Sequence, residues 1–148
     1  MEAKKQLESG LTAAIRAGDD VRKRTLRMAI SAVRQVEVDR GKPLTNEEVI
    51  ALLQKEVKTR QEVIEESGRA GRPDLQAEAQ AEIEILQGYL PQQLSRAELE
   101  AEAREVIAEL GASSLRDMGT VMKTLQSRLA GRASGSEASQ VVRSLLQN

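Results

Sequence analysis

Apolar residues recur along this chain at the three- and four-residue spacing that lines one face of an α-helix. The clearest example ends one residue after the only tyrosine, where five apolar positions are separated by intervals of four, four, three and four residues. They are Leu75, Ala79, Ile83, Leu86 and Leu90. Seven segments show such spacing, and no segment convincingly shows the alternation of a half-buried strand. The pattern therefore predicts an all-α protein.

Glycines, prolines and capping residues divide the pattern into helices. Gly18 followed by Asp19 predicts the end of a first helix at about residue 17 and the cap of a second. Thr45-Asn46-Glu47-Glu48 is a capping box that starts a third helix. In the first half of the chain, the same signals predict a second helix over about 21–40, a loop over 68–73 and a fourth helix over 73–90. In the second half they predict a fifth helix from Ser95 to Gly111 and a sixth that is capped by Ser113 or Ser114 and stopped by Gly131. A loop over 131–136 and a seventh helix over about 137–147 follow.

The stretch Tyr89-Leu90-Pro91-Gln92-Gln93-Leu94-Ser95 is interpreted as a structural joint. Pro91 has no N–H and disfavours helical angles at the preceding residue, so the fourth helix should end here. Tyr89, Leu90 and Leu94 are expected to pack the joint in place. Ser95, with Glu98 three residues later, forms a second capping box and starts the next helix.

The joint predicts two subdomains. Residues 1–90 form an N-terminal helical subdomain of about four helices, and residues 91–148 form a C-terminal three-helix bundle. Net charge is −1 overall but uneven: +4 over 1–60, −8 over 61–111 and +3 over 112–148. Such segregation fits either contact between the segments or polyanion binding at the basic ends, although uneven solvated helix faces are the favoured interpretation.

Composition excludes several kinds of chemistry. The chain has no histidine and no cysteine, which removes imidazole catalysis, thiol chemistry, disulfides and the common zinc sites. No Gly-x-x-x-x-Gly-Lys-Ser/Thr phosphate loop is present. The serines considered as nucleophiles fall at caps or in loops: Ser95, Ser113, Ser114, Ser134 and Ser136. We therefore predict no catalytic residue and no cofactor. No leader peptide or membrane span is evident, so a cytoplasmic protein is the default expectation.

Two rows of carboxylates with i+4 spacing are the sets that could converge on a metal ion. Without a histidine beside them, neither row resembles a known helical metal motif, and a solvated acidic face is the favoured interpretation. The rows are Asp74, Glu78 and Glu82, and Glu98, Glu102, Glu105 and Glu109. We predict no metal site.

The basic residues near the last helix are more suggestive. Lys123, Arg128 and Arg132 surround Gly131, close to the predicted start of the final helix. A helix N-terminus, a glycine-containing loop and nearby arginines together can hold a phosphate. The competing interpretation, an ordinary interhelical turn, is favoured on these residues alone.

The second predicted helix is also basic, but its arginines Arg24, Arg27 and Arg34 are offset enough that they need not form one patch. A single aromatic residue argues against recognition of single strands by base stacking. Recognition of a folded RNA by its backbone and shape remains open.

Several ordered motifs together resemble the GatB/YqeY family. They span essentially the whole chain: Arg24-Thr25-Leu26-Arg27-Met28, Gly71-Arg72-Pro73-Asp74-Leu75, Tyr89 to Ser95 with Glu98-Leu99, Asp117-Met118-Gly119-Thr120-Val121-Met122, and Gly131-Arg132-Ala133-Ser134-Gly135. Two positions depart from the family pattern. Thr120 stands where lysine is common, which weakens a phosphate contact there, and Ser134 stands where aspartate is common.

The resemblance implies an all-helical protein similar to the tail of the B subunit of the tRNA-dependent amidotransferase. That enzyme amidates glutamate or aspartate attached to tRNA, with glutamine as nitrogen donor; its tail helps grip tRNA and the chemistry occurs in other domains. Related modules are attached to some glutaminyl-tRNA synthetases. The family label, carbon–nitrogen ligase with glutamine as amido donor, comes from the larger enzyme.

By this resemblance we expect a tRNA-binding module, associated with an amidotransferase or aminoacyl-tRNA synthetase in translation and without independent catalysis. The candidate tRNA-side residues are Gly119, Met122, Lys123, Arg128, Gly131, Arg132 and Gly135, with Met118, Val121 and Met122 also expected in the core and Gly119 in a close helix contact. Two alternatives stay open: a helical protein–protein interaction module without RNA contact, and a carbon–nitrogen ligase in its own right. Acidic groups around Arg128 and Arg132 would count against RNA binding at that face.

Overall fold

The computed structural model describes residues 2–147 and confirms the all-α prediction. Within that range the chain forms seven α-helices and one short 3-10 helix, with no strand. The helices are α1 Ala3–Ala17, α2 Asp20–Arg40, α3 Asn46–Arg69, α4 Pro73–Gln87, α5 Arg96–Leu110, α6 Met118–Leu129 and α7 Gly135–Gln147, and the 3-10 turn is Leu115–Asp117.

The helices belong to two compact units, one that ends at Pro91 and one that starts at Gln92. In the N-terminal unit, α1 packs on α2, α3 packs on α4, and α2 also contacts α4. Each of these helices contributes one leucine with no exposed surface: Leu7, Leu26, Leu53 and Leu86. Burial of each stabilises the unit by about 1.5–3 kcal/mol, so an aliphatic core suffices without aromatic residues.

The C-terminal unit is a three-helix arrangement in which α5, α6 and α7 all contact one another. Its core is again aliphatic, and Leu99, Val106, Val121, Leu125 and Val142 are fully buried in it. Met118 and Met122 pack partly buried against this core, which confirms the expectation for both.

The helix starts follow the predicted capping chemistry. The Thr45 and Ser95 side chains each accept the N–H of the glutamate three residues later, and that glutamate returns a bond to the cap N–H. Asp19 caps α2, and Gly18 ends α1 in the left-handed conformation that glycine adopts without steric cost. These local rules work because they satisfy backbone groups that would otherwise lack partners.

The ends of α3 and α4 differ from the prediction. The α3 helix continues through Gly68 to Arg69. The Gln76 amide packs over this glycine and donates to the Ile64 carbonyl, and a Cβ at Gly68 would lie 2.7 Å from its nitrogen. The α4 helix ends at Gln87 instead of Leu90, and the next residues form turns back to Leu86 and Gln87. The low helix propensity of Gly88 and the restriction from Pro91 account for the earlier end.

The sixth and seventh helices also differ. Ser114 caps the 3-10 turn that precedes α6, and α6 ends at Leu129 with Ala130 in the left-handed conformation, one residue before the predicted stop. The α7 helix begins at Gly135, inside the predicted loop, since the Ser134 hydroxyl accepts the Glu137 N–H and so caps it earlier.

Candidate functional site

Arg128 lies on α6 among carboxylates from α5. Its guanidinium is 2.5 Å from Glu109 and 3.7 Å from Glu105, and the hydrogen bond that it donates to Glu109 raises the pKa of Arg128. The arginine is only 31% exposed. Its charge is therefore balanced inside the C-terminal unit, which is the arrangement that counts against RNA binding at this position.

Arg132 is turned back toward the end of α6. Its Nε donates to the Leu129 carbonyl at 2.9 Å, and its Nη2 donates to the Arg128 carbonyl at 3.2 Å. These are carbonyls of the last helical turn, which carry partial negative charge and lack helical partners. The Arg132 carbonyl itself accepts the Leu94 N–H at 2.8 Å. Arg132 thus closes α6 and fixes the turn.

A side chain also caps the start of α7. The Ser134 hydroxyl accepts the Glu137 N–H at 3.1 Å, and Glu137 adds a carboxylate to the first turn. A Cβ at Gly135 would lie 3.1 Å from the Gln126 amide nitrogen, and the Gln93 side chain donates to the Gly131 carbonyl at 2.9 Å. Glycine and serine therefore serve the packing and capping of an interhelical turn.

The remaining C-terminal candidates lie apart from this turn. Lys123 is exposed on α6. It precedes Arg128 by five residues, which places the two cations roughly 140° apart around the helix. Gly119 is exposed, and a Cβ there would meet nothing within 4 Å, so the expected close helix contact at Gly119 is wrong. The structure brings Arg128, Gly131, Arg132 and Gly135 to one turn but does not assemble a cationic pocket there.

The residues of the joint divide between the two cores. Tyr89 and Leu90 pack against the N-terminal core, and Leu94 packs against the C-terminal core. The Tyr89 hydroxyl lies against Gly10 of α1. Pro91 is half-buried, and Ser95 caps α5. Each side chain therefore anchors its own end of the joint to its own unit.

Most carboxylates of the two rows form ion pairs or cap a helix. Among residues 2–147 no group of acidic side chains is placed to hold a metal ion. In the first row each carboxylate meets a different arginine: Asp74 meets Arg72 at 2.9 Å, Glu78 meets Arg24 at 3.5 Å and Glu82 meets Arg60 at 2.6 Å. In the second row Glu98 belongs to the α5 capping box, while Glu105 and Glu109 lie beside Arg128.

The basic character of α2 was recognised in the sequence, but the shared face of its arginines was not. We define the α2 cationic face as Lys23, Arg24, Arg27 and Arg34. At 100° per residue its three arginines fall within an arc of about 80°, and all three are exposed. The expectation that they need not form one patch is thus corrected. A shallow depression on this helix is lined by Asp20, Lys23, Arg24, Arg27, Met28, Ser31 and Ala32.

The cations of the α2 cationic face differ in how they are paired. Lys23 lies 3.4 Å from Asp20, and Arg24 lies 3.5 Å from Glu78, so both pairs are long and exposed. Within the described residues, no carboxylate lies within 4 Å of Arg27 or Arg34. The sequence signal was available: residues 21–36 contain five basic residues and no acidic one.

Comparisons with known proteins place the chain beside one family and a group of curated relatives. The family described as "Yqey-like protein" matches residues 4–146. A protein of Lachancea thermotolerans named "Altered inheritance of mitochondria protein 41, mitochondrial" is 35% identical over 111 residues, which are 73% of this chain and 59% of that protein. A protein of the same name from Pyrenophora tritici-repentis is 32% identical over 123 residues, 74% of this chain and 65% of that protein. The chain thus spans less than two thirds of the length of these relatives.

Proposed function

Because the chain belongs to the YqeY-like family, we propose that it is a non-catalytic module that binds tRNA and acts beside an aminoacyl-tRNA synthetase or amidotransferase subunits. The observation that carries this proposal is the family match over residues 4–146. The likeness of the sequence to an amidotransferase tail supplies the tRNA partner.

The distribution of polar groups supports the absence of catalysis. An amidotransferase needs an activated nucleophile, and without cysteine or histidine this chain would have to build one from a serine or threonine and a lysine. In the described residues the capping serines 95, 114 and 134 are engaged with backbone N–H groups. The carboxylates with lowered pKa values, such as Glu98 and Asp117, owe the shift first to backbone N–H groups at helix starts. These serines and carboxylates serve structural roles.

No described helix is long and apolar enough to cross a bilayer. The relatives bear the word mitochondrial in their names. The cytoplasm and the mitochondrial matrix both contain tRNA, so the proposed partner is present in either compartment.

A titration of the purified full chain into fluorescently labelled bulk tRNA tests the proposal. Anisotropy at low salt should report micromolar or tighter binding, and affinity should fall linearly on a logarithmic salt scale as counterions are released. No binding at low salt would overturn the proposal. Ammonia release from glutamine, measured on the same protein, should be absent; sustained release would show glutaminase activity and contradict the absence of independent catalysis.

A second candidate function, docking onto a protein partner, is favoured by apolar surface on the C-terminal unit. A small groove there is lined by Arg104, Ile107, Ala108, Gly111, Ala112 and Leu145. Leu110 and Leu115 are 42% and 47% exposed. Capture of a defined synthetase or amidotransferase subunit that is lost in a Leu110→Ser/Leu115→Ser variant, without tRNA binding by the free chain, would favour this function.

A further inference from the structure

We propose that the α2 cationic face, and not the turn around Gly131, is the surface through which this chain holds RNA, by contact with the phosphate backbone. The inference rests on the proposed function and adds the place and the chemistry of contact. It depends on how charges are distributed and paired among the described residues.

Like charges are concentrated on this face with weak compensation. Lys23 and Arg24 have long, exposed ion pairs, and Glu37, whose pKa is lowered mainly by the Leu44 N–H and by Lys4, is also influenced by the charge of Arg34. Arg27 has Lys23 four residues before it and Arg24 three residues before it, and both positions are neighbours on a helix surface. No carboxylate occurs between Asp20 and Glu37. Such neighbours repel one another in the free protein, and a bound polyanion would relieve that repulsion.

Several other arginines of the chain form ion pairs with carboxylates. Arg60 lies between Glu56 at 2.7 Å and Glu82 at 2.6 Å, and Arg128 lies against Glu109 at 2.5 Å. Arg40 pairs with Glu48 across the turn that separates α2 from α3. Against this background Arg27 and Arg34 are exposed cations on one helix face, with no ion pair among the described residues.

The geometry of the face suits phosphates in a row. Lys23 and Arg34 are eleven residues apart, so the cations span about 16 Å along the helix axis. Guanidinium groups bind phosphate oxygens through two parallel hydrogen bonds and are always charged. Ser31, exposed between Arg27 and Arg34, adds a neutral donor.

The composition of the face favours RNA over an acidic protein. Protein interfaces are centred on buried aromatic or aliphatic anchors with charges at the rim. Here the charges occupy the centre, with Met28 at one side and Val38 toward the end. No aromatic residue lies on α2, so base stacking is excluded there and the contact should be insensitive to base sequence.

The test compares three double variants of the full chain in binding to bulk tRNA across a salt series. Arg27→Gln/Arg34→Gln removes two cations from the α2 cationic face while it keeps good helix formers. Arg116→Gln/Arg143→Gln is the matched control, because both are exposed arginines of the C-terminal unit without an ion pair among the described residues. The third variant, Arg128→Ala/Arg132→Ala, removes the cations of the turn. Poly-L-glutamate serves as a competing non-nucleic polyanion.

Loss of the two α2 arginines should weaken binding about tenfold for each contact removed and reduce the salt slope by about 0.9 per contact. The control and the turn variant should both stay within about twofold of the wild type, and a loss confined to the turn variant would overturn this inference. Binding by the wild type with no loss in the α2 variant would overturn this inference and leave the proposed function standing. An equal loss in the control would also overturn it, because net charge alone would then explain binding.

Two further outcomes decide the nature of the ligand. If poly-L-glutamate binds as tightly as tRNA and with the same loss in the α2 variant, the face accepts acidic chains in general and the RNA assignment fails. If the wild type does not bind tRNA even at low salt, both the inference and the proposed function fail.

Discussion

Replacement of Gly10 by alanine offers a sharp test of the N-terminal unit, because the structure reverses the sign that helix propensity would give. Gly10 lies inside α1, where alanine is normally preferred by about 1 kcal/mol. A Cβ at this position would lie 1.9 Å from the Tyr89 hydroxyl oxygen and 2.8 Å from Cζ. Real Cβ atoms do not approach other atoms so closely, so the tyrosine must move.

The magnitude follows from two opposed effects. Overpacking a close contact typically costs about 1–3 kcal/mol, which exceeds the propensity gain of about 1 kcal/mol. Gly10→Ala should therefore lower the free energy of unfolding by up to about 2 kcal/mol. In a Tyr89→Leu background the obstacle is absent, and the same change should raise stability by up to about 1 kcal/mol. The coupling between the two positions should thus amount to about 1–3 kcal/mol.

Urea unfolding followed by far-ultraviolet circular dichroism measures these four free energies. Because the chain has two compact units, Leu53→Ala and Leu125→Ala, each in one core, identify which unit a transition belongs to. Gly119→Ala is the matched control: nothing lies within 4 Å of its added Cβ, so stability should not fall. Equal stabilisation by Gly10→Ala in both tyrosine and leucine backgrounds would refute the contact between Tyr89 and Gly10.

Two further predictions concern charge. Arg60→Met should destabilise the N-terminal unit by about 3 kcal/mol in urea unfolding, because Glu82, only 14% exposed, loses its cation. Adding Glu82→Leu should recover most of the lost stability. If the double variant is as unstable as Arg60→Met, the stabilising role of this ion pair is contradicted. Arg40 first and the Thr45 N–H second lower the pKa of Glu48 from 4.5 to about 2. The stabilising contribution of ionised Glu48 is complete above pH 4.5 and disappears as pH falls to 2, so Tm should drop over that window. The drop should be smaller in Glu48→Gln. Equal drops in the two proteins would refute the stabilising role of the Glu48 carboxylate.

Local chemistry in the sequence predicted most of the fold. The capping boxes at Thr45 and Ser95 and the stop at Gly18 need only neighbours within a few residues, so their effect can be read from spacing. The errors arose where a distant residue decided the outcome. Gly68 indicated a helix end, but in the fold it makes room for Gln76 within a continuing helix.

The candidate site was predicted less well, for a related reason. A Gly-Arg-Ala-Ser-Gly turn has the composition of a phosphate loop and also of a helix–helix connection. What separates the two is the direction of the arginine side chains, and that depends on carbonyls at the end of α6 and on carboxylates from α5. The α2 cationic face could have been found, since helical angles place Arg24, Arg27 and Arg34 together by arithmetic alone.

The uneven charge of the chain acquires a physical explanation from these pairings. The acidic middle segment is not a single polyanionic surface, because its members go to different partners. On α4, Glu82 balances the buried Arg60 and Glu78 approaches Arg24, while on α5 Glu105 and Glu109 balance Arg128. Neither Arg27 nor Arg34 takes part in these ion pairs within the part of the chain that the structure describes. A phosphate backbone that meets this chain would therefore gain most at α2, where it replaces no internal ion pair at Arg27, whereas at Arg128 it would have to displace Glu109 first.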